Sequence, residues 1–307
     1  MPDLRWLPVV FASLAACSTI DDVGNDSDDG SAVAPCDGSG LGPGDYTRTE
    51  TIDGLERSWS IHVPPGVDSV TPRPLVFNLH PFVLGGNDIF QEIWRNESGV
   101  EPLSDTEGFL VVQPEGTGGP AAWNAGEECC GEPSANGVDD VGFILGLIDR
   151  VSAEACVDSR RVYSTGMSNG GYLSHRLACE HPDRIAAIAP VVGSLSAELV
   201  CTEGRAVPVL IVSGSEDNLE SREASATRWV EMNGCDPTPA VTEGQGPGAI
   251  CRTWSGCDDG VDVTHCVVQD AGHCWFSDRT QITPGCGPVD FVSERVAWDF
   301  MSRWTLP

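Results

Sequence analysis

The sequence predicts an α/β domain with a mainly parallel central sheet, helices on both faces and an antiparallel N-terminal hairpin at one edge. Three observations carry this expectation. From Pro74 onward, short continuous apolar runs alternate with helical stretches, the pattern of strands buried on both faces and joined by helical crossovers. Before Pro74, two alternating stretches flank Asp53-Gly54, a tight-hairpin dipeptide. The chain has 307 residues with 40% hydrophobic content, enough to bury one large core and too little for two comfortable ones.

Taken in order, the chain opens with an export segment. Arg5 and the amino terminus supply a weak positive charge, Trp6 to Ala16 is apolar, and Leu14-Ala15-Ala16-Cys17 closes the run. The run is short against the about 20 residues that span a bilayer. Residues 1–16 therefore read as a signal peptide of lipoprotein type, with Cys17 as the lipidated first residue and the mature chain held at a membrane by that anchor. A plain signal peptide cut after Ala16 is the alternative. Residues 17–35 carry Asp21, Asp22, Asp26, Asp28 and Asp29 with no basic residue, and are expected to form a solvated acidic tether. A single domain spans 36–307.

Within that domain, Thr47–Ile52 and Arg57–Val63 alternate as the two hairpin strands. The buried runs follow: Leu75–Leu79, Phe109–Val112, Arg161–Ser164, Ile185–Ala189 and Val207–Val212. Val141, Ile144, Leu145, Ile148 and Val151 lie near one face of a helix over Asp139–Val151, and further helices are expected over Arg222–Met232 and Val292–Trp304.

Charge and cysteine content narrow the function classes. Lys plus Arg total 17 against 46 Asp plus Glu, a formal charge of -29, and every basic residue is arginine. Such a surface repels phosphate backbones, so nucleic acid is excluded as a partner. With Cys17 set aside, twelve of the 13 cysteines remain, an even number in a chain with an export signal, which points to disulfides. No C-x-x-C pair occurs, so no metal site is expected. Cys129 and Cys130 are adjacent and are expected to bridge to two different partners, because disulfide geometry wants Cα atoms about 4.4–6.8 Å apart.

The chemistry is concentrated at Gly166-Met167-Ser168-Asn169-Gly170-Gly171. An apolar strand precedes it, and Tyr172, Leu173 and Leu177 recur at helical spacing until His181-Pro182. A serine on a sharp strand-to-helix turn between glycines reads as a nucleophile elbow. Ser168 needs a base to take its proton and a third group to orient that base. Asp217 follows the Val207–Ser213 run, at the carboxyl end of a strand where open α/β sheets place their sites; Glu216 is the alternative acid. His273 follows Val267-Val268 and Gln269-Asp270-Ala271-Gly272 on a loop, whereas His265 falls inside the strand, so His273 is the favoured base. The order Ser168, Asp217, His273 is that of α/β-hydrolases.

Further stretches carry a resemblance: Trp123-Asn124-Ala125-Gly126, Cys129-Cys130-Gly131, Val138-Asp139-Asp140-Val141-Gly142-Phe143, Asn233-Gly234-Cys235, Gly256-Cys257 and Gly272-His273-Cys274-Trp275. Together with the elbow, they make the chain resemble the exported esterase family of polyhydroxybutyrate depolymerases and feruloyl esterases, from about residue 45 to the end. The resemblance implies an α/β-hydrolase fold, serine esterase activity on carboxylic esters without a cofactor, and the same nucleophile, acid and base. It also suggests that Trp123-Asn124 lies near the site. For the oxyanion, the backbone N–H of Asn169 is one candidate donor. The second belongs in His80-Pro81-Phe82-Val83, where many relatives carry His-Gly; Pro81 has no N–H, so Phe82 is chosen and Val83 is the alternative. His80 reads as a loop-orienting residue. Trp123, Asn124 and Trp275 are expected to line the substrate pocket, Trp275 because it stands two residues from the proposed base. Cys274, where relatives commonly have threonine, is expected to be bridged and to hold His273 in register.

The resemblance implies hydrolysis of feruloyl or acetyl esters on polysaccharide, or of hydroxyalkanoate oligomers, through an acyl-enzyme. A noncatalytic glycan- or partner-binding lipoprotein on the same fold, and an acyltransferase using the same three residues, are the alternatives.

Overall fold

The computed structural model describes residues 36–82, 87–243, 248–277 and 291–307. The signal segment, the acidic tether, Cys17 and Val83 lie outside them. Asp53 and Gly54 take positive φ of 52° and 81°, as a two-residue hairpin loop of the mirror-image type requires. They join β1 (Gly44–Ile52) to β2 (Leu55–Val63) in antiparallel register.

The apolar runs become β3 (Arg73–Leu79), β4 (Leu110–Pro114), β5 (Val157–Met167), β6 (Ala187–Val191) and β7 (Val209–Gly214). Three more strands follow, β8 (Ala240–Glu243), β9 (Ala249–Trp254) and β10 (Val263–Val268). The sheet order is β1-β2-β4-β3-β5-β6-β7-β10-β9-β8. Its middle, from β4 to β10, is parallel, and both edges are antiparallel. The N-terminal hairpin at one edge is as expected; the second antiparallel edge, β9 and β8, is an addition.

The helices are α1 (Asn87–Glu97), α2 (Val100–Glu107), α3 (Glu132–Ala135), α4 (Asp140–Glu154), α5 (Asn169–Glu180), α6 (Leu219–Met232) and α7 (Ser293–Met301). Strand periodicity divides the core between them. Leu75, Phe77 and Leu79 join one apolar cluster with Ile144, Leu147 and Ile148 of α4, Leu173 and Leu177 of α5 and Trp229 of α6. Val76 and Val111 face the other cluster with Trp94, Leu103 and Trp298, from α1, α2 and α7. Asp139 caps α4 by accepting from the Gly142 N–H at 2.8 Å.

Four bridges staple distant segments: Cys36–Cys156, Cys179–Cys201, Cys235–Cys257 and Cys251–Cys266. The last crosses directly opposed positions of β9 and β10. Cys274 is also disulfide-bonded. Cys129 and Cys130 correct the expectation of two separate partners: they bond to each other, with Cα atoms 3.1 Å apart. The other described cysteines are all committed to bridges of their own, which leaves the neighbours to pair.

Candidate active site

Parallel pairing puts the carboxyl ends of β3, β5, β6, β7 and β10 on one edge of the sheet, and the candidate residues arrive there from separate strands. Ser168 links β5 to α5 with φ 53° and ψ -119°, a conformation costly for a residue with a Cβ. It is held by the surrounding chain: the Ser168 N–H donates to Val191 O at 2.9 Å and Ser168 O accepts from the Tyr172 N–H at 2.9 Å. The flanking glycines are needed for space. A Cβ on Gly166 would lie 2.8 Å from the Leu79 Cβ, and one on Gly170 would lie 2.7 Å from His80 O, so β3 and α5 could not both approach the elbow.

The loops after β7 and β10 are zipped together. Ser215 and Glu216 donate their N–H groups to Val268 O and Ala271 O at 2.9 and 2.8 Å. This brings His273 Nδ1 within 3.0 Å of Asp217 Oδ1. The Asp217 side chain is 9% exposed and that of His273 45%. Arg222, a turn into α6, donates from Nη2 to Asp217 Oδ2 at 3.0 Å and to Val192 O at 2.5 Å, and from Nη1 to Ser194 Oγ at 3.1 Å. Burial pushes the Asp217 carboxyl up, but the His273 hydrogen bond and the Arg222 guanidinium outweigh it and hold the group below the ordinary carboxylate range. Val192 itself has a positive φ of 47°, and that backbone aims its carbonyl at Arg222. Glu216 is exposed, and the contact to His273 falls to Asp217. His265 is buried in β10 against Ser213 Oγ at 2.9 Å, and burial pushes its pKa down to about 4.

Asn169 is the first residue of α5 and fully buried; the first four N–H groups of a helix lack intrahelical acceptors. Its side chain is clamped, with Oδ1 accepting from the Trp123 N–H at 2.7 Å and Nδ2 donating to Trp123 O at 3.1 Å and to Cys129 Sγ at 3.7 Å. Phe82 is half-buried beside Pro81. Both ring nitrogens of His80 are engaged: Nδ1 donates to Pro81 O at 2.8 Å and Nε2 accepts from the Gly116 N–H at 2.9 Å. Burial pushes His80 down to about 4, which keeps it neutral and suits an orienting role for the loop that carries Phe82.

Trp123 and Trp275, expected at the substrate pocket, are both buried. Trp123 is fully buried, packed on His80 with ring centroids 4.7 Å apart, and donates from Nε1 to His80 O at 3.0 Å. Trp275 is 2% exposed, lies edge-on to Trp94 and donates to Ser98 O at 2.9 Å. Both support the loops that hold candidate groups. Asn124 is likewise committed: its N–H donates to Asp140 Oδ2 at 2.6 Å and its Nδ2 to Val138 O at 2.7 Å. Asp140 is the partner of Arg57, 2.6 Å away and buried, and that guanidinium stacks 3.8 Å over Phe143. Local pattern had not pointed to Arg222, Asp140 or Arg57.

A cleft of about 470 Å³ opens beside Asn218, the neighbour of Asp217, lined by Glu128, Leu195, Ala197, Ser221, Ser225 and Arg228. Elsewhere, Asp45, His62 and Glu101 each offer a ligand atom within 4.8 Å of the others. The His62 ring is bonded to Asp45 at 2.7 Å and Asp105 at 3.0 Å, so carboxylates already use both nitrogens.

With this geometry in hand, comparison with known proteins is specific. Residues 57–218 match the family described as esterase PHB depolymerase. The chain is 30% identical over 288 residues to feruloyl esterase D of Neurospora crassa, covering 89% of this chain and 92% of that protein. It is 28% identical over 271 residues to feruloyl esterase B of Piromyces equi, covering 80% of this chain but only 45% of that protein. The solved acetyl xylan esterase from Aspergillus awamori superposes with a TM-score of 0.60 at 18% identity, covering 74% of this chain and 94% of that one, a likeness of α/β-hydrolase fold.

Proposed function

The chain belongs to the esterase PHB depolymerase family, and from that premise we propose that it is an exported serine esterase that cleaves carboxylic esters through an acyl-enzyme. The carrying observation is the 3.0 Å contact between His273 Nδ1 and Asp217 Oδ1, on the same sheet edge as Ser168 in its positive-φ turn. A proton on Nδ1, directed at the carboxylate, leaves Nε2 as the base. Ser168 Oγ attacks the ester carbonyl as Nε2 takes its proton, the collapsing tetrahedral adduct releases the alcohol with that proton, and water repeats the sequence to free the acid. Asp217 orients the ring and stabilises its charged form. The N–H groups of Asn169 and Phe82 receive the oxyanion, each donor being worth about 2.7–4 kcal/mol.

The bridged cysteines support an oxidising compartment, in keeping with export and a membrane anchor at Cys17. Feruloyl or acetyl esters on polysaccharide and soluble hydroxyalkanoate oligomers are the substrate classes. The cleft beside Asn218, whose size is in the usual ligand range of about 300–1,000 Å³, is the candidate place for their alcohol or acyl portions. Parallel rates on methyl ferulate, acetylated xylan and hydroxybutyrate oligomers test this reading. Turnover of at least one of them that vanishes in Ser168→Ala is expected; turnover retained by that variant, or none by the oxidised wild-type chain, refutes it.

A further inference from the structure

We propose that the Cys129-Cys130-Gly131 turn positions the oxyanion hole, with the Cys129–Cys130 bridge acting on Asn169 and Gly131 acting on Phe82; the inference rests on the esterase reading above. The bridge has no ordinary stapling role. A disulfide stabilises a fold largely by closing a loop in the unfolded chain, and the effect grows with loop length. The bridges Cys36–Cys156, Cys179–Cys201, Cys235–Cys257 and Cys251–Cys266 span sequence separations of 120, 22, 22 and 15 residues, whereas this one spans 1. What it fixes is local.

Two contacts show what is fixed. Asn169 Nδ2 donates to Cys129 Sγ at 3.7 Å, inside a buried clamp completed by the Trp123 backbone. Asn169 follows the candidate nucleophile and carries one proposed donor on its own backbone, so the clamp on its side chain ties the start of α5 to the Trp123 backbone and Cys129. On the other side, Gly131 has φ 81° and sits so close to Phe82 that a Cβ there would lie 2.9 Å from Phe82 Cε2 and 3.2 Å from the Ala122 Cβ. Phe82 carries the other proposed donor. One short turn thus braces two residues that come from different strands, β3 and β5.

The turn is itself anchored. Glu128 Oε1 accepts from the Ala197 N–H at 3.2 Å, Glu198 accepts from the Glu127 N–H, and Ser134 Oγ donates to Gly126 O at 2.7 Å. Its position is therefore set by the loop after β6 and by α3, and passed on to both donors. The cysteines act through Asn169, as positioning residues.

The test uses the full oxidised chain and the paired variants C129A/C130A and C129S/C130S. Loss of a whole donor costs about 10²–10³ in kcat, so loosening one is expected to lower kcat about tenfold or more in the alanine pair, with KM within about twofold. Affinity for a trifluoromethyl ketone, which forms a tetrahedral adduct, should fall with kcat. The serine pair should recover part of the loss, because a hydroxyl at position 129 can accept from Asn169. Unchanged kcat, or a fall of kcat that leaves the ketone affinity intact, overturns the proposal. If the variants do not fold, limited reduction and alkylation of Cys129 and Cys130 in the folded wild type, mapped by mass, gives the same readouts. Failure of the esterase reading is distinguishable, since it appears as Ser168-independent or absent turnover in the unmodified chain.

Discussion

Replacing Arg222 by methionine isolates the contribution of the residue that braces the candidate acid. Its side chain is 3% exposed and that of Asp217 is 9%, and its Nη2 meets both Asp217 Oδ2 and Val192 O. Methionine fills similar volume without charge, leaving a buried carboxylate supported by His273 and the Asn218 N–H. Removing one partner of a buried pair costs about 3–5 kcal/mol, and each kcal/mol moves Tm by about 2–4 °C in a domain of this size, so a drop of about 6–20 °C is expected. The carboxyl is held low by His273 and Arg222 together. Without Arg222 its pKa rises, and the ionised form needed to hold His273 is lost at a higher pH than in the wild type. The acid limb of kcat/KM should therefore shift upward, and misplacement of the imidazole should cost about 10- to 100-fold at neutral pH. The assay is a pH–rate profile on a nitrophenyl ester beside thermal melts. An unchanged acid limb with an unchanged rate would refute the bracing role, whatever the melting temperature does.

Other expectations follow from the same contacts. Arg57→Met strands the buried carboxylate of Asp140, which lies 2.6 Å away, and should destabilise the fold by about 3–5 kcal/mol in denaturant titration. Trp123→Phe deletes the 3.0 Å hydrogen bond to His80 O while keeping most of the packing; as a buried support it should lower kcat with little change in KM, whereas a raised KM would assign Trp123 to the substrate pocket. His80 and His265 are pushed down to about 4, and His175 to about 3, by burial. Their neutral forms favour the folded state above the ordinary histidine pKa of about 6.5, and that stability drains away as pH falls from there toward about 4. Melts at pH 7 and pH 4.5 should show a clear loss of Tm; equal values would contradict the burial of these rings.

Much of the architecture is legible in the chain because burial on both faces imposes a composition: the apolar runs at Leu75–Leu79 and Val207–Val212 coincide with strands β3 and β7. Asp53-Gly54 marks the first hairpin through its backbone conformation alone. The far edge was invisible for the opposite reason. β8 is exposed along its whole length, with Val241 at 65% exposure, so no burial pattern marks it. Ser168, Asp217 and His273 stand out because chain order and strand ends can be read locally. Arg222 does not, since its guanidinium is fixed on Asp217 by contacts to Val192 O and Ser194 Oγ, which lie 30 and 28 residues away in sequence. The Cys129–Cys130 pairing is not legible in the sequence because it depends on which other cysteines are taken, a tertiary fact. The sequence does not show what the tryptophans support, because the packing of Trp123 on His80 and of Trp275 on Trp94 joins residues far apart in the chain.

The most direct measurement is to trap the acyl-enzyme. Oxidised protein is mixed with a slowly deacylating aryl ester, quenched in acid and digested, and the adduct is mapped by mass. One acyl group on the Ser168 peptide is expected, formed with a burst of released alcohol and absent from Ser168→Ala. An acyl group on another residue, or turnover with a burst in the alanine variant, would contradict nucleophilic catalysis by Ser168.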